Sequence, residues 1–141
     1  MSGEDLSVLQ RRHLLHTARL IEHIYEAGYE ATWGEGKRSD EQAEINALSA
    51  AERQRVALLL KAEFPSLAAA IAKSTSHGIR ASVHRLGLAM DLNLFKDGSY
   101  CASKEDYQSF GEFWKGLDPL ARWGGDFDDA DHFSFEHNGV K

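Results

Sequence analysis

Apolar positions change their period near the middle of the chain. From Leu6 to Ala27, the residues Leu14, Ala18, Ile21 and Tyr25 recur three and four positions apart. That spacing predicts a helix with this stripe against the core, and Gly28 as its stop. Tyr29 to Trp33 alternates and is rich in strand formers, so it predicts a strand, and the glycines of GEGKR predict a turn after it. Ser39 with Gln42, and Ser49 with Glu52, have capping-box spacing. They predict one helix through about Leu48 and a second that Phe64-Pro65-Ser66 interrupts, followed by an Ala-rich helix from Ser66 to about Lys73. STSHGIRA reads as loop by composition.

Beyond that loop the period shortens to two. Leu88, Met90, Leu92 and Leu94 fall on one face of a strand and Ala89, Asp91, Asn93 and Phe95 on the other, with Asp97-Gly98 as a turn after them. Ser103 with Asp106 opens a helix from Tyr107 through Leu117. Its Phe110, Phe113, Trp114 and Leu117 are spaced for a core rather than a ligand cage, and Pro119 ends it. Near the end, HFSFE alternates as a strand should.

Composition narrows the functional classes. A chain of 141 residues, 43% hydrophobic and 27% charged, fits a single domain over 1–141 with a core of its own. A net charge of -6 argues against nucleic acid as a partner, because that affinity rests on excess Lys and Arg. Cys101 is the single cysteine, cannot close an internal disulfide, and reads as a small apolar filler beside Tyr100. The N-terminus, MSGEDLSVLQRRH, carries acids where a signal peptide carries positive charge. No run approaches the roughly 18 apolar residues of a membrane span. The expectation is a soluble, cytoplasmic chain with no export signal and no membrane insertion.

The candidate chemistry starts at His84 and Asp91, seven positions apart with Gly87 and Ala89 leaving room for close approach. A catalytic zinc wants three protein ligands and an open fourth position. His132, opening the HFSFE strand, is the best third ligand. Spacing alone leaves surface or hydrogen-bonded roles open for all three. His16 and His23, also seven apart, have no third ligand nearby and read as solvated or core-edge histidines. A two-His, one-carboxylate set also suits a non-haem Fe(II) oxygenase, although such enzymes usually place His and Asp closer together. A non-catalytic zinc-binding domain is the other alternative.

Three segments together carry a resemblance. SVHRLGLAMD, Ser82 to Asp91, matches S-x-H-x-x-G-x-A-x-D; GKRSDEQ matches G-x-R-[ST]-x-x-Q; and RWGGDF with DADHF matches W-G-G-D followed by [DE]-x-x-H-F. In this order they resemble the D-alanyl-D-alanine carboxypeptidase/dipeptidase family of zinc metallopeptidases, which includes the L-alanyl-D-glutamate peptidases of phage endolysins and lies close to the hedgehog-type domain. The resemblance implies an α+β fold with a small antiparallel sheet flanked by helices. It implies Zn2+ held by His84, Asp91 and His132, with Asp129 as general base. It also implies that Arg38 binds substrate or steadies the oxyanion, and that Ser82 supports the first ligand or touches substrate.

Two imidazoles and one carboxylate leave a zinc site with net charge of about +1, enough to lower the pKa of bound water toward about 7. Asp129 and His132 are an odd number apart, so DDAD must turn for both to reach one site, and its composition favours a turn. Asp128, Asp131 and Glu136 are rival bases, and Glu136 has the parity to share His132's face. His77 and His137 read as outlying, while Trp123 and Asp126 read equally as packing or as shaping the site. The segment Ser49 to Arg80 is longer and more helical than in short relatives, and offers a cover for the cleft or a determinant of substrate choice. Within the resembled family a short chain without an export signal looks most like a phage endolysin, held in the host cytoplasm until release, that cuts the L-alanyl-D-glutamate bond of peptidoglycan stem peptides. A monomer is expected. The D-alanyl-D-alanine bond is the alternative.

Overall fold

A computed structural model describes residues 3–37, 47–73 and 82–141. The chain divides into two compact units, 1–38 with 83–141, and 39–82. The expected helix from Ser39 as far as residue 46, the STSHGIRA loop, Arg38 and His77 lie outside the described residues, and Ala47 and Leu48 at that helix's expected end are not helical. Among the described residues no helix is long and apolar enough to cross a membrane.

The larger unit begins with helix α1, Leu6–Glu26, capped by the Asp5 carboxylate, which accepts the Ser7 N–H at 2.8 Å. Gly28 ends it with φ 84°, a left-handed turn open to glycine. The buried stripe differs from the one expected. Leu14 and Tyr25 are 66% and 51% exposed, whereas Leu9, His13, His16, Thr17, Leu20 and Ile24 face the core. The polar members of that face are buried because each has a partner. Thr17 Oγ donates to His13 O at 2.8 Å, His13 Nε2 lies 3.4 Å from Phe133 O, and His16 Nε2 lies 3.3 Å from Asp118. A stripe that reads polar is therefore core, and the apolar stripe beside it is largely surface.

Strand β1, Glu30–Glu35, runs through Gly34, past the point where a turn was expected. A side chain at Gly34 would stand 3.0 Å from Asp91 Cβ, so the glycine lets β1 lie close to its neighbour. Strand β2, Ala89–Lys96, buries Met90, Leu92 and Leu94 as its alternation requires. Asp97 at φ 51° and Gly98 at φ 77° then form a two-residue turn into the short strand β3, Ser99–Tyr100. Cys101 is buried, as a filler should be.

Helix α2, Ala50–Leu60, and helix α3, Pro65–Lys73, belong to the smaller unit and pack on each other. The Ser49 capping box is complete, with Ser49 Oγ accepting the Glu52 N–H and the Glu52 carboxylate accepting the Ser49 N–H. Pro65 itself opens α3, a position where its missing N–H costs nothing.

Helix α4, Lys104–Leu117, starts at Ser103 as expected and buries Phe110 and Trp114 completely, with Phe113 and Leu117 packed at the core margin. The Trp114 indole N–H donates to Arg122 O and Ser134 O, at 3.0 and 3.1 Å. It thereby joins the helix to strands β4, Ala121–Trp123, and β5, His132–Phe135. The antiparallel sheet has the order β1-β2-β5-β4, with β3 paired to β2. All four residues of β5 are buried. The architecture is α+β, a small antiparallel sheet flanked by helices, in agreement with the expected class.

Candidate metal centre

Register brings the site together. β2 and β5 pair so that Asp91 lies directly opposite His132, and residues directly opposite in an antiparallel pair project to the same face. His84 reaches the same place from the turn before β2, closed by Leu86 N–H and Leu88 N–H to Val83 O and by Gly87 N–H to His84 O. Gly87, at φ 67°, makes that turn possible. The result is a group of one carboxylate and two imidazoles, with one ligand atom from each lying within 4.8 Å of the others.

The spacing fits a tetrahedral metal. Asp91 Oδ1 lies 3.4 Å from His84 Nε2 and 3.3 Å from His132 Nδ1. Two ligands about 2.0–2.1 Å from one tetrahedral ion are separated by about 3.3–3.4 Å. Neither contact has hydrogen-bond geometry, so the buried Asp91 Oδ1 has no hydrogen-bond partner among the described residues. An orphaned, buried carboxylate oxygen between two imidazole nitrogens is costly unless a cation joins them. Burial pushes the Asp91 carboxyl upward, but the two facing imidazoles outweigh it and hold it down at about 2.

The imidazoles are oriented by their surroundings. His84 Nδ1 lies 2.9 Å from Gly36 O and donates to it, which leaves the lone pair on Nε2 for the metal. The His132 ring meets the His84 ring edge-on at 5.1 Å and the Phe127 ring at 5.7 Å. Nothing in the sequence pointed to the Gly36 carbonyl, because a backbone acceptor carries no residue signature.

The turn that Asp129 needs is present. A 3₁₀ helix, Gly124–Phe127, ends at Asp128 in the left-handed conformation with φ 65°, and the Asp129 N–H then closes on Gly124 O at 2.8 Å. This reverses the chain and brings Asp129 Oδ2 to 3.8 Å from His132 Nδ1, with the carboxylate half exposed. Trp123 contributes packing and a tether: its ring is fully buried and its N–H donates to Ala130 O at 2.7 Å. Among the rival bases, Asp131 presents a carboxylate oxygen within 4.8 Å of those of Asp91 and Asp129. Burial and then its neighbours Asp129 and Asp91 push the Asp131 carboxyl up to about 7. Glu136 is engaged elsewhere, accepting from Arg122 Nε at 2.7 Å, and Asp126 pairs with Lys115 at 3.0 Å. His137 bridges to Val140 and not to the metal group, and Ser82 falls in the smaller unit.

Solved structures share this arrangement of elements. The chain superposes on the vancomycin-resistance D,D-pentapeptidase VanY of a VanB-type cassette, a mutant in complex with Zn(II), with a TM-score of 0.53 and 22% identity over 88% of this chain and 70% of that one. The fold is that of the VanY D,D-peptidase. VanYB in complex with D-alanine-D-alanine matches equally, with a TM-score of 0.53 and 22% identity over 88% of this chain and 69% of that one. No protein-family model and no curated protein matches the sequence. The VanY fold thus emerges from the three-dimensional arrangement at an identity too low to carry activity with it.

Proposed function

We propose that the protein is a zinc-dependent peptidase acting on peptidoglycan stem peptides, with His84, Asp91 and His132 as the metal ligands. The observation that carries this is the tetrahedral spacing around the orphaned Asp91 Oδ1. Zinc bound there would supply Lewis acidity to a water molecule and to the scissile carbonyl. Asp129, beside His132 and open to solvent, accepts the proton that the attacking water loses and returns it to the departing amine. Gly36 O keeps His84 in the tautomer that presents Nε2. Arg38, following the family pattern, meets the carbonyl oxygen as charge develops on it.

Analogy within the resembled family, and not any residue of the site, favours the L-alanyl-D-glutamate bond and an endolysin role. The D-alanine-D-alanine complex of VanYB supports the second reading, cleavage at the D-alanyl-D-alanine bond. Incubating the zinc-loaded protein with peptidoglycan and identifying new termini by mass spectrometry separates them. L-alanine carboxyl ends with D-glutamate amines support the first, and released D-alanine the second. No cleavage by a chain that has bound zinc refutes both.

A further inference from the structure

A cleft of about 330 Å³ lies beside the metal group in the larger unit, lined among others by Leu14 and Thr17 of α1, Trp33 of β1, Gly36, Lys37 and Ala89. None of His84, Asp91 and His132 lines it, but its lining includes Gly36, whose carbonyl holds His84, and Ala89, two residues before Asp91. Two of its lining residues, Leu14 and Trp33, are large apolar side chains that are 66% and 62% exposed.

The main chain of β1 says what kind of molecule fits. β1 is the edge of the sheet. Leu92 N–H donates to Asp131 O, and Leu94 binds Tyr107 and Cys101 through its N–H and C=O, so both turn their polar groups away from β1. Their register partners are Trp33 and Ala31, whose own N–H and C=O must therefore point to the free edge. At Ala31 the Tyr25 hydroxyl occupies both groups, at 3.4 and 3.5 Å. At Trp33 they have no partner among the described residues.

We propose that this cleft binds an extended segment of the peptide substrate, remote from the bond presented to the metal group. The segment adds to the β1 edge through the Trp33 N–H and C=O, as peptides add to exposed sheet edges elsewhere. Its side chains lie between Trp33 and Leu14. Lys37, exposed on the cleft lining, pairs with a carboxylate of the same segment. The proposal rests on the peptidase reading and adds where substrate is gripped. A contact made equally in the ground state and the transition state lowers KM and leaves kcat unchanged.

The test uses the tryptophans. Trp114 and Trp123 are fully buried, so acrylamide quenching of the zinc-loaded protein reports chiefly on Trp33. A synthetic stem pentapeptide should protect that fluorescence. Trp33→Ala and Lys37→Gln should each raise KM roughly five- to twentyfold, with kcat and bound zinc within about twofold of wild type. Cleavage with unchanged KM in both variants, or protection by a peptide-free glycan oligomer and not by the pentapeptide, overturns the proposal. Protection by the pentapeptide without any cleavage supports the cleft and counts against the peptidase reading alone.

Discussion

Two pairs of histidines lie in the same unit at nearly equal burial. His13 and His16 are 5% and 6% exposed, His84 and His132 are 4% and 5% exposed. Burial therefore does not tell them apart, and their partners do. His13 meets Phe133 O and lies edge-on to Trp114 and Phe135, while His16 shares Asp118 with Arg12. The Asp118 carboxylate on that side accepts from Arg12 Nη2 at 3.4 Å and from the Leu120 N–H at 3.0 Å, and Arg12 Nε lies in ion-pair contact at 2.7 Å. The Asp91 carboxylate on the other side keeps Oδ1 buried and unbonded between two imidazoles. A histidine cluster whose valences are closed is structure, and one that leaves a valence open is a candidate site.

The largest effect should come from emptying the open side. Asp91→Ala is expected to lose both zinc and turnover, a drop of more than about 10³-fold that metal analysis and peptidoglycan cleavage would read together. Asp129→Asn should keep zinc and lower turnover by about 10²–10⁴-fold. Full activity in that variant would move the base to another carboxylate.

The closed side should answer in stability instead. Burial pushes the His13 imidazole down to about 4. An unfolded histidine takes up its proton near 6.5, so stability is intact above about pH 6.5 and falls as pH drops toward 4, by a total on the order of 3 kcal/mol. Urea unfolding at pH 7 and at pH 4.5 measures this, and His13→Gln should flatten the dependence. Smaller still, Asp118→Asn should cost about 1–3 kcal/mol through the weakened bonds to Arg12 and His16, with zinc binding unchanged.

The contrast also explains which parts were legible in the sequence. Strand β2, helix α4 with its Ser103 cap, and the trio His84, Asp91 and His132 could be read because periodicity and motif pointed the same way. The face of α1 could not. Hydropathy scores His13, His16 and Thr17 as polar, and only the fold supplies the Phe133 carbonyl and the Asp118 carboxylate that let them be buried. Of the stripe judged apolar enough for the core, Ile21 packs against it, while Leu14 and Tyr25 are exposed beside β1. β3 and β4, with two and three residues, are too short to show any period. Parity along a regular strand put Asp129 off the His132 face, and the left-handed Asp128 brings it back.

Zinc titration of the metal-stripped chain tests the central claim most directly, comparing wild type with His84→Ala and His16→Gln. The account predicts one tight equivalent in wild type and in His16→Gln, and none in His84→Ala. Equal tight binding in wild type and His84→Ala, or its loss in His16→Gln with the fold intact, would contradict it.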